Sequence, residues 1–346
     1  AARLETSKWA AKEIMAEAGV PTARARVCDT LAAARAALDG FGPPWVVKAD
    51  GLAAGKGVLV SAARDEVEAF LAACFEQGRF GEAGRRVVLE EHLIGEEASL
   101  MAVCDGERHV LLPSARDYKR ARDGDRGPNT GGMGACAPHP AVDAALEAVV
   151  SRTVIAPVLA AMARRGTPYR GTLYAGLMLT AQGPQVVEFN CRFGDPETQV
   201  VLPLTGGSLA RLLAGAAAGR LDADDVRREP GAAVTVALVD EGYPEAVTGG
   251  GTIEGLESLE PDDPCMVFHA ATARSGDGWR VRGGRAAHVT ARGATVAEAR
   301  RRAYGAIARL GGRGWRCRRD IAAGEPGGGG EGVAAQARAG GGQAWT

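Results

Sequence analysis

The sequence lacks a dominant charge: 41 Lys and Arg against 42 Asp and Glu leave a net charge of −1. Without a strong field, nucleic acid and membrane surfaces are poor candidates as partners. No apolar run is read as approaching the ~20 residues that span a bilayer. No basic stretch followed by an apolar one marks a secretory signal. The seven cysteines, Cys28, Cys74, Cys104, Cys136, Cys191, Cys265 and Cys317, are odd in number, scattered and without a C-x-x-C pair. That argues against a zinc site or a disulfide framework and fits a reducing, cytoplasmic setting. The five histidines form no H-E-x-x-H, and there is no G-x-S-x-G. Metalloproteases and serine hydrolases lose most of their support. Methionine is absent before Met15 and the chain opens on Ala1. We read this as a start inside a longer protein, with a segment missing upstream.

Lysine is also scarce. Lys8, Lys12, Lys48, Lys56 and Lys119 are the only five, so 41 − 5 = 36 of the cations are arginine. A lysine kept where arginine is the default points to a need for a compact charge, which a planar guanidinium cannot imitate. Glycine is plentiful, 49 of 346, about twice the usual ~7%. The 46% apolar and 24% charged content is that of a globular protein. At ~150 residues per domain the length predicts about two domains.

The pattern predicts a helix over 6–18, capped by Thr6 or Ser7 and stopped by Gly19 and Pro21. A second helix is expected over 30–38, and strands over 45–49 and 58–60. A helix over 65–76 and a strand over 86–93 follow. A hairpin over 98–112 turns at Asp105-Gly106. Residues 114–140 read as a long structureless segment, a kind that is usually functional or disordered. A helix over 142–163, paired strands over 173–189 and a mostly helical stretch over 198–218 come next. From about Gly231 the chain turns β-rich, with a helix over 296–310. Residues 322–346 are dominated by Gly and Ala and are expected to form a disordered tail.

Four segments concentrate chemistry. The first is Asp50-Gly51-Leu52-Ala53-Ala54-Gly55-Lys56-Gly57 between two strands. It is not a P-loop: the spacing is G-x-x-x-G-K-G, no Ser or Thr follows, and a strand rather than a helix comes after it. It reads either as a loop folding its N–H groups over phosphates, with Lys48 and Lys56 adding charge, or as a flexible hairpin tip. The second is Glu188-Phe189-Asn190. Residues two apart on a strand share a face, so Glu188 and Asn190 offer two oxygen ligands suited to Mg²⁺, or form a solvated strand face. Arg192-Phe193-Gly194-Asp195-Pro196-Glu197 then places a cation where strand gives way to helix, a potential anion site. The third runs from Asp117 and Lys119 through Asn129-Thr130-Gly131-Gly132-Met133-Gly134, whose glycines permit close approach of a ligand. The fourth, Glu90-Glu91-His92-Leu93-Ile94-Gly95-Glu96-Glu97, could pair adenine with a strand end and hold ribose with a carboxylate, or be only a solvated acidic loop.

Together these motifs closely resemble the phosphoribosylamine–glycine ligases (glycinamide ribonucleotide synthetases). The likeness rests on Leu4 to Lys8, Val47 to Gly57, Gly127 to Gly134 and Glu188 to Gln199, and R-F-G-D-P-E at Arg192 to Glu197 is highly specific. It extends to Arg318-Arg319-Asp320-Ile321. It implies an α+β chain with the ATP-grasp fold, two subdomains holding ATP between them, followed by a small β-rich C-terminal domain. The expected divisions are 1–90 with a lid at about 22–88, a body at 91–228, a β-rich domain at 229–321 and the tail at 322–346. The implied reaction joins glycine to 5-phosphoribosylamine through a glycyl phosphate, releasing ADP and phosphate, the second step of de novo purine synthesis.

By this resemblance Lys8 and Lys48 contact ATP phosphates, and Gly55, Lys56 and Gly57 close over them. Glu90, Leu93 and Glu97 hold adenine and ribose. Glu188 and Asn190 hold Mg²⁺ or Mn²⁺. Asp117, Lys119, Arg192 and Asp195 join Lys48 as catalytic groups, and Asn129 to Gly134 with Arg192 bind substrate. The implied partners are the two small substrates and the family's N-terminal domain, absent here, or further purine-pathway domains of a longer chain. The sequence departs from the family at Arg116 and Tyr118, where Q-D-H-K-R is usual, and at Cys136, where G-A-Y is usual. Two alternatives stand beside this expectation: another ATP-grasp carboxylate–amine ligase, and a catalytically incomplete ATP-binding fragment.

Overall fold

A computed structural model describes residues 2–53, 56–259, 264–276 and 278–325. Helix Lys8–Ala18 begins at Ser7, whose side chain accepts from the Ala10 N–H, and ends at Gly19 in the left-handed conformation. Both are ordinary helix punctuation: a hydroxyl takes an orphan N–H, and glycine tolerates positive φ.

The chain then builds a four-stranded antiparallel sheet in the order Ala25–Cys28, Val87–Glu90, Trp45–Ala49, Val58–Ser61. Helices Leu31–Leu38 and Arg64–Phe75 cover it, burying Leu38, Val47, Val67, Leu71, Val87 and Leu89 in one cluster. Each such side chain contributes about 1.5–3 kcal/mol.

A second antiparallel sheet follows, ordered Gly183–Asn190, Arg170–Thr180, Glu96–Asp105, His109–Leu111. Strand alternation splits its residues between two cores. Leu100, Ala102, Leu173 and Ala175 pack with Ile14, Val154, Val158 and Leu159 on one face. Met101, Val103 and Tyr174 pack with Val200, Leu204 and Leu212 on the other.

Three sequence expectations need correction. First, the helix over 144–164 is long and apolar enough, by length and composition, to cross a membrane. It lies on the second sheet instead, with Val150, Val154, Ile155, Val158 and Leu159 in the core. Second, residues 114–140 contain four short strands, Arg116–Asp117, Arg120–Arg122, Arg126–Asn129 and Gly134–Ala137. They are too short and too rich in Gly and Pro to show an alternating pattern. The stretch 198–218 is mostly helical, as expected, but in pieces: Pro203 lies in a 3₁₀ turn, and strand Thr205–Gly207 separates Thr198–Val201 from helix Leu209–Ala218. Third, the chain packs as far as Glu325, and residues 326–346 of the expected tail lie outside the described residues. Ala322 is buried, and the Glu325 carboxylate accepts from Arg116 and Tyr118.

The β-rich region does not stand apart from the body. Its main sheet runs Cys265–His269, Arg285–Gly293, Ala232–Asp240, Gly134–Ala137, Arg116–Asp117. The last two strands come from the segment before residue 140. The sheet therefore carries Asp117 at one edge and Arg285 on an inner strand. Helix Val296–Ile307 covers it, and Val234, Val236, Val289 and Ala303 are buried there.

Candidate active site

The two subdomain sheets and the C-terminal sheet enclose a cleft of about 630 Å³. Lys8, Gly57, Glu90, Asp117, Lys119, Thr130, Gly131, Glu188, Asn190, Arg192 and Asp195 line it, although the chain spreads them over 188 positions.

A cation in the first turn of a helix opposes the helix dipole. Lys8 occupies that position and donates to the Gly51 carbonyl at 2.9 Å, at the root of the glycine-rich loop. Burial lowers its pKa, with Glu188 opposing and Lys48 reinforcing the effect. Gly51 has no room for a side chain: a Cβ there would lie 2.5 Å from the Ala83 Cβ. Asp50 holds this corner, accepting from Ser7 Oγ and the Trp9 N–H, each at 3.0 Å, and from Arg86 Nε at 2.8 Å. Lys56 is exposed, and Gly55 lies outside the described residues.

Lys48 sits just beneath the cleft wall. Its Nζ donates to Glu90 Oε2 at 3.0 Å and to the Val187 carbonyl at 3.2 Å. Glu90 is 3% exposed, so two buried cations, Lys48 and Lys12, balance its charge. Such a cluster is costly to break because a lone buried charge is left behind. Leu93 is half-buried outside the cleft lining, and the Glu97 carboxylate is taken by Lys119. Burial works against the Lys119 ammonium, but Glu97, Asp117 and Glu188 outweigh it and raise its pKa.

Glu188 and Asn190 share a face of strand Gly183–Asn190, and both line the cleft. Arg192 donates to Glu5 Oε1 at 3.1 Å. Asp195 is gripped by Arg285 through two hydrogen bonds, Nη1 to Oδ1 at 3.1 Å and Nη2 to Oδ2 at 2.9 Å. Arg285 Nη1 also donates to the Gly131 carbonyl at 2.7 Å.

Asp117 is half-buried, and its Oδ1, shut off from solvent, has no hydrogen-bond partner among the described residues. Burial, then the Glu197 carboxylate, push its pKa well above the ordinary aspartate range, while Lys119 pulls the other way. Glu197 is fixed by Ser99 Oγ at 3.1 Å and Tyr174 Oη at 2.8 Å.

The glycine run divides. Thr130 and Gly131 reach the cleft. Gly132, at φ +107°, packs so closely that a Cβ would lie 2.3 Å from Pro196 Cδ and 2.7 Å from Asp117 Oδ1. Asn129 is exposed in the short ribbon with Arg120. The other two residues correct the sequence reading. Met133 is fully buried in the C-terminal core. Gly134 lies in a strand where a Cβ would lie 2.4 Å from the Thr235 carbonyl oxygen. The departures Arg116, Tyr118 and Cys136 also meet: Tyr118 Oη lies 3.9 Å from Cys136 Sγ, and the Arg116 guanidinium lies 5.4 Å from the centre of the Tyr118 ring.

Sequence reasoning assigned no role to Lys12, Tyr174, Glu197 or Arg285, all of which line the cleft. Lys12 was signalled by lysine scarcity and Glu197 by its place in R-F-G-D-P-E. Tyr174 reads as an ordinary strand aromatic, and Arg285 is one of 36 arginines.

Sheets enclosing a lysine-lined cleft, with Gly51 and Gly57 of a strand-to-strand segment in its lining and an acid beside an amide on an edge strand, define an ATP-grasp protein. The comparisons narrow this. The family description "Phosphoribosylglycinamide synthetase, ATP-grasp (A) domain" matches residues 6–198, and the C domain of the same synthetase matches 233–324. The chain belongs to the phosphoribosylglycinamide synthetase family. It is 51% identical over 326 residues to the phosphoribosylamine–glycine ligase of Streptomyces coelicolor, covering 93% of this chain and 76% of that protein. The corresponding ligase of Mesorhizobium japonicum is 46% identical, with 93% and 75% covered. The crystal structure of phosphoribosylamine–glycine ligase from Thermotoga maritima matches with a TM-score of 0.84 and 38% identity, over 92% of this chain and 79% of that one. A biotin carboxylase domain from Hydrogenobacter thermophilus, crystallised with MgADP, shares the fold at TM-score 0.69 and 18% identity, with 90% and 67% covered.

Proposed function

We propose that this chain catalyses the ATP-dependent ligation of glycine to 5-phosphoribosylamine, giving glycinamide ribonucleotide, ADP and phosphate. The observation that carries the reading is the convergence of both family-matched segments on one cleft. Lys8, Lys119 and Glu188 come from the first segment and Arg285 from the second.

Such a reaction needs reactants held in line and negative charge neutralised, with little covalent chemistry from the protein. A glycine carboxylate oxygen attacks the terminal phosphorus of ATP, and ADP leaves. The amine of phosphoribosylamine then attacks the acyl carbon, the phosphate leaves, and the amine sheds a proton. Lys8 and Lys48 are assigned to the phosphates, with Gly55, Lys56 and Gly57 closing above them. Glu90, Leu93 and Glu97 are assigned to the adenosine end. Asn129, Thr130, Gly131 and Gly132 border the substrate end, where Arg192 and Arg285 supply positive charge and Lys119 and Asp195 complete the wall. Asp117, made a stronger base by burial and by Glu197, is the candidate acceptor of the amine proton.

The donor set fits a hard cation. Among the described residues no group of three His, Cys, Asp or Glu side chains could hold a metal alone. Mg²⁺ is usually bound by one or two carboxylates together with substrate phosphates, which Glu188 and Asn190 could complement. Mg²⁺, or Mn²⁺ with similar ligands, would neutralise phosphate charge there. The proposed setting is the cytoplasm, with small molecules as reactants and the family's N-terminal region as a candidate partner.

The test is ADP release under Mg-ATP, first with glycine alone and then with glycine and freshly generated phosphoribosylamine. ADP appearing only with both is the expected result. ADP release at equal rates with or without phosphoribosylamine, or with neither substrate, would overturn the assignment.

A further inference from the structure

Lys12 has no part in the roles assigned so far, yet its position is distinctive. The chain passes into the lid at Thr22–Ala23, just before strand Ala25–Cys28, and leaves it at Glu90, the last residue of Val87–Glu90. These strands are neighbours, with Ala25 opposite Glu90. Both crossings therefore lie side by side above helix Lys8–Ala18.

Lys12 rises from that helix between them and is 6% exposed. Its Nζ donates to Thr22 Oγ1 and to the Ala23 carbonyl, each at 2.8 Å, and lies 3.3 Å from Glu90 Oε2. An ammonium has three protons, and these acceptors account for all of them. Thr22 Oγ1 donates in turn to the Val186 carbonyl at 2.6 Å, on the edge strand that ends at Asn190. One side chain thus ties the way in, the way out and the body sheet together.

We propose that Lys12 is the hinge pin of the lid, a positioning residue that sets how the lid and its Lys48 sit against the nucleotide. Glu90 Oε2 is shared, since Lys48 Nζ lies 3.0 Å from the same oxygen. If Lys48 turns to a phosphate, Lys12 still balances the Glu90 charge, and the hinge keeps its geometry. Burial, opposed by Glu90 and reinforced by Lys48, brings the Lys12 pKa down to about 8. Without Glu90 the amine would have little reason to stay charged. The proposal rests on reading the cleft as the ATP site.

The test compares wild type with Lys12→Met, which keeps the stem and removes the charge. Steady-state kinetics would be combined with amide hydrogen exchange on the same preparations. The expected result is a rise of about tenfold or more in KM for ATP, with KM for glycine within about twofold. Exchange should quicken at 22–28 and 87–93 and not across the body sheet. Lys12→Met combined with Glu90→Gln should be no worse than the worse single variant. Equal rises in both KM values, or unchanged exchange at the two crossings, would overturn the proposal. If Lys12→Met does not fold, Thr22→Val removes one acceptor and should raise KM for ATP about threefold, and a wild-type value overturns it. A wild type that releases no ADP defeats the ligase reading instead, and the hinge is then judged by exchange alone.

Discussion

Arg285 and Asp195 lie 90 positions apart and close a two-pronged ion pair across the cleft, at 3.1 and 2.9 Å. A bidentate guanidinium–carboxylate pair fixes orientation as well as distance. It joins the C-terminal sheet to the turn that carries Arg192, Asp195 and Glu197, so the C-terminal region forms part of the site wall. Arg285→Ala should lower ADP release in the presence of both substrates by about 100-fold. Stabilisation of the protein by Mg-ATP should persist, because Arg285 is assigned to the other end. Thermal shift and turnover measured together would check this, and loss of the ATP-induced shift would place Arg285 at the nucleotide.

Lys48→Ala removes one of two cations from a buried carboxylate and one assigned phosphate contact. A ligand at 100 times its dissociation constant stabilises the folded state by about 2.7 kcal/mol. That shift should vanish in Lys48→Ala at the ATP concentration that gives it in wild type. An unchanged shift and rate would refute the phosphate assignment.

Glu188→Ala leaves Asn190 as the other candidate metal ligand on that strand face. The Mg²⁺ concentration at half-maximal rate should rise about tenfold or more. A metal titration that overlays the wild-type curve counts against Glu188 as ligand.

Acid stability should report Asp320. Burial disfavours its charged form, but hydrogen bonds from Arg318 and the Gly124 N–H outweigh that and bring its pKa down to about 2. Because the folded pKa lies below the ordinary 3.8, the stability it contributes is fully present above about pH 4 and fades as pH falls towards 2. Arg318, 1% exposed, loses a charge partner in Asp320→Asn. That variant should be less stable at pH 7 by about 2 kcal/mol. The gap to wild type should narrow between pH 4 and pH 2 in urea unfolding measured across that range. A gap independent of pH would show that the carboxylate's charge is not the cause.

Local chemistry was legible wherever neighbours in the chain decide it. Ser7 and Gly19 mark the ends of their helix because a hydroxyl cap and a left-handed glycine act within one turn. Strand Trp45–Ala49 and the hairpin at Asp105-Gly106 follow from β-branched runs and turn residues. The same logic broke down in 114–140, where each strand is four residues or fewer and gains its pairing from Ala232–Asp240 or from an adjacent short strand.

What the sequence by itself determined was the inventory: five lysines placed where a point charge matters, an oxygen pair two apart on a strand, glycine-rich runs and the R-F-G-D-P-E turn. These are properties of residue type and spacing, and they sufficed to indicate the class of chemistry. The tertiary structure alone decided which of those residues meet. Met133 belongs to a core because the C-terminal sheet passes over it, although its glycine neighbours suggested a ligand loop. Arg285 enters the cleft because Ala232–Asp240 pairs with its strand on one side and with Gly134–Ala137 on the other. Lys12 becomes a pin only where two lid crossings converge on one ammonium. Contacts between residues tens to hundreds of positions apart leave no periodic trace in the chain, because they depend on how whole sheets pack rather than on what any segment prefers.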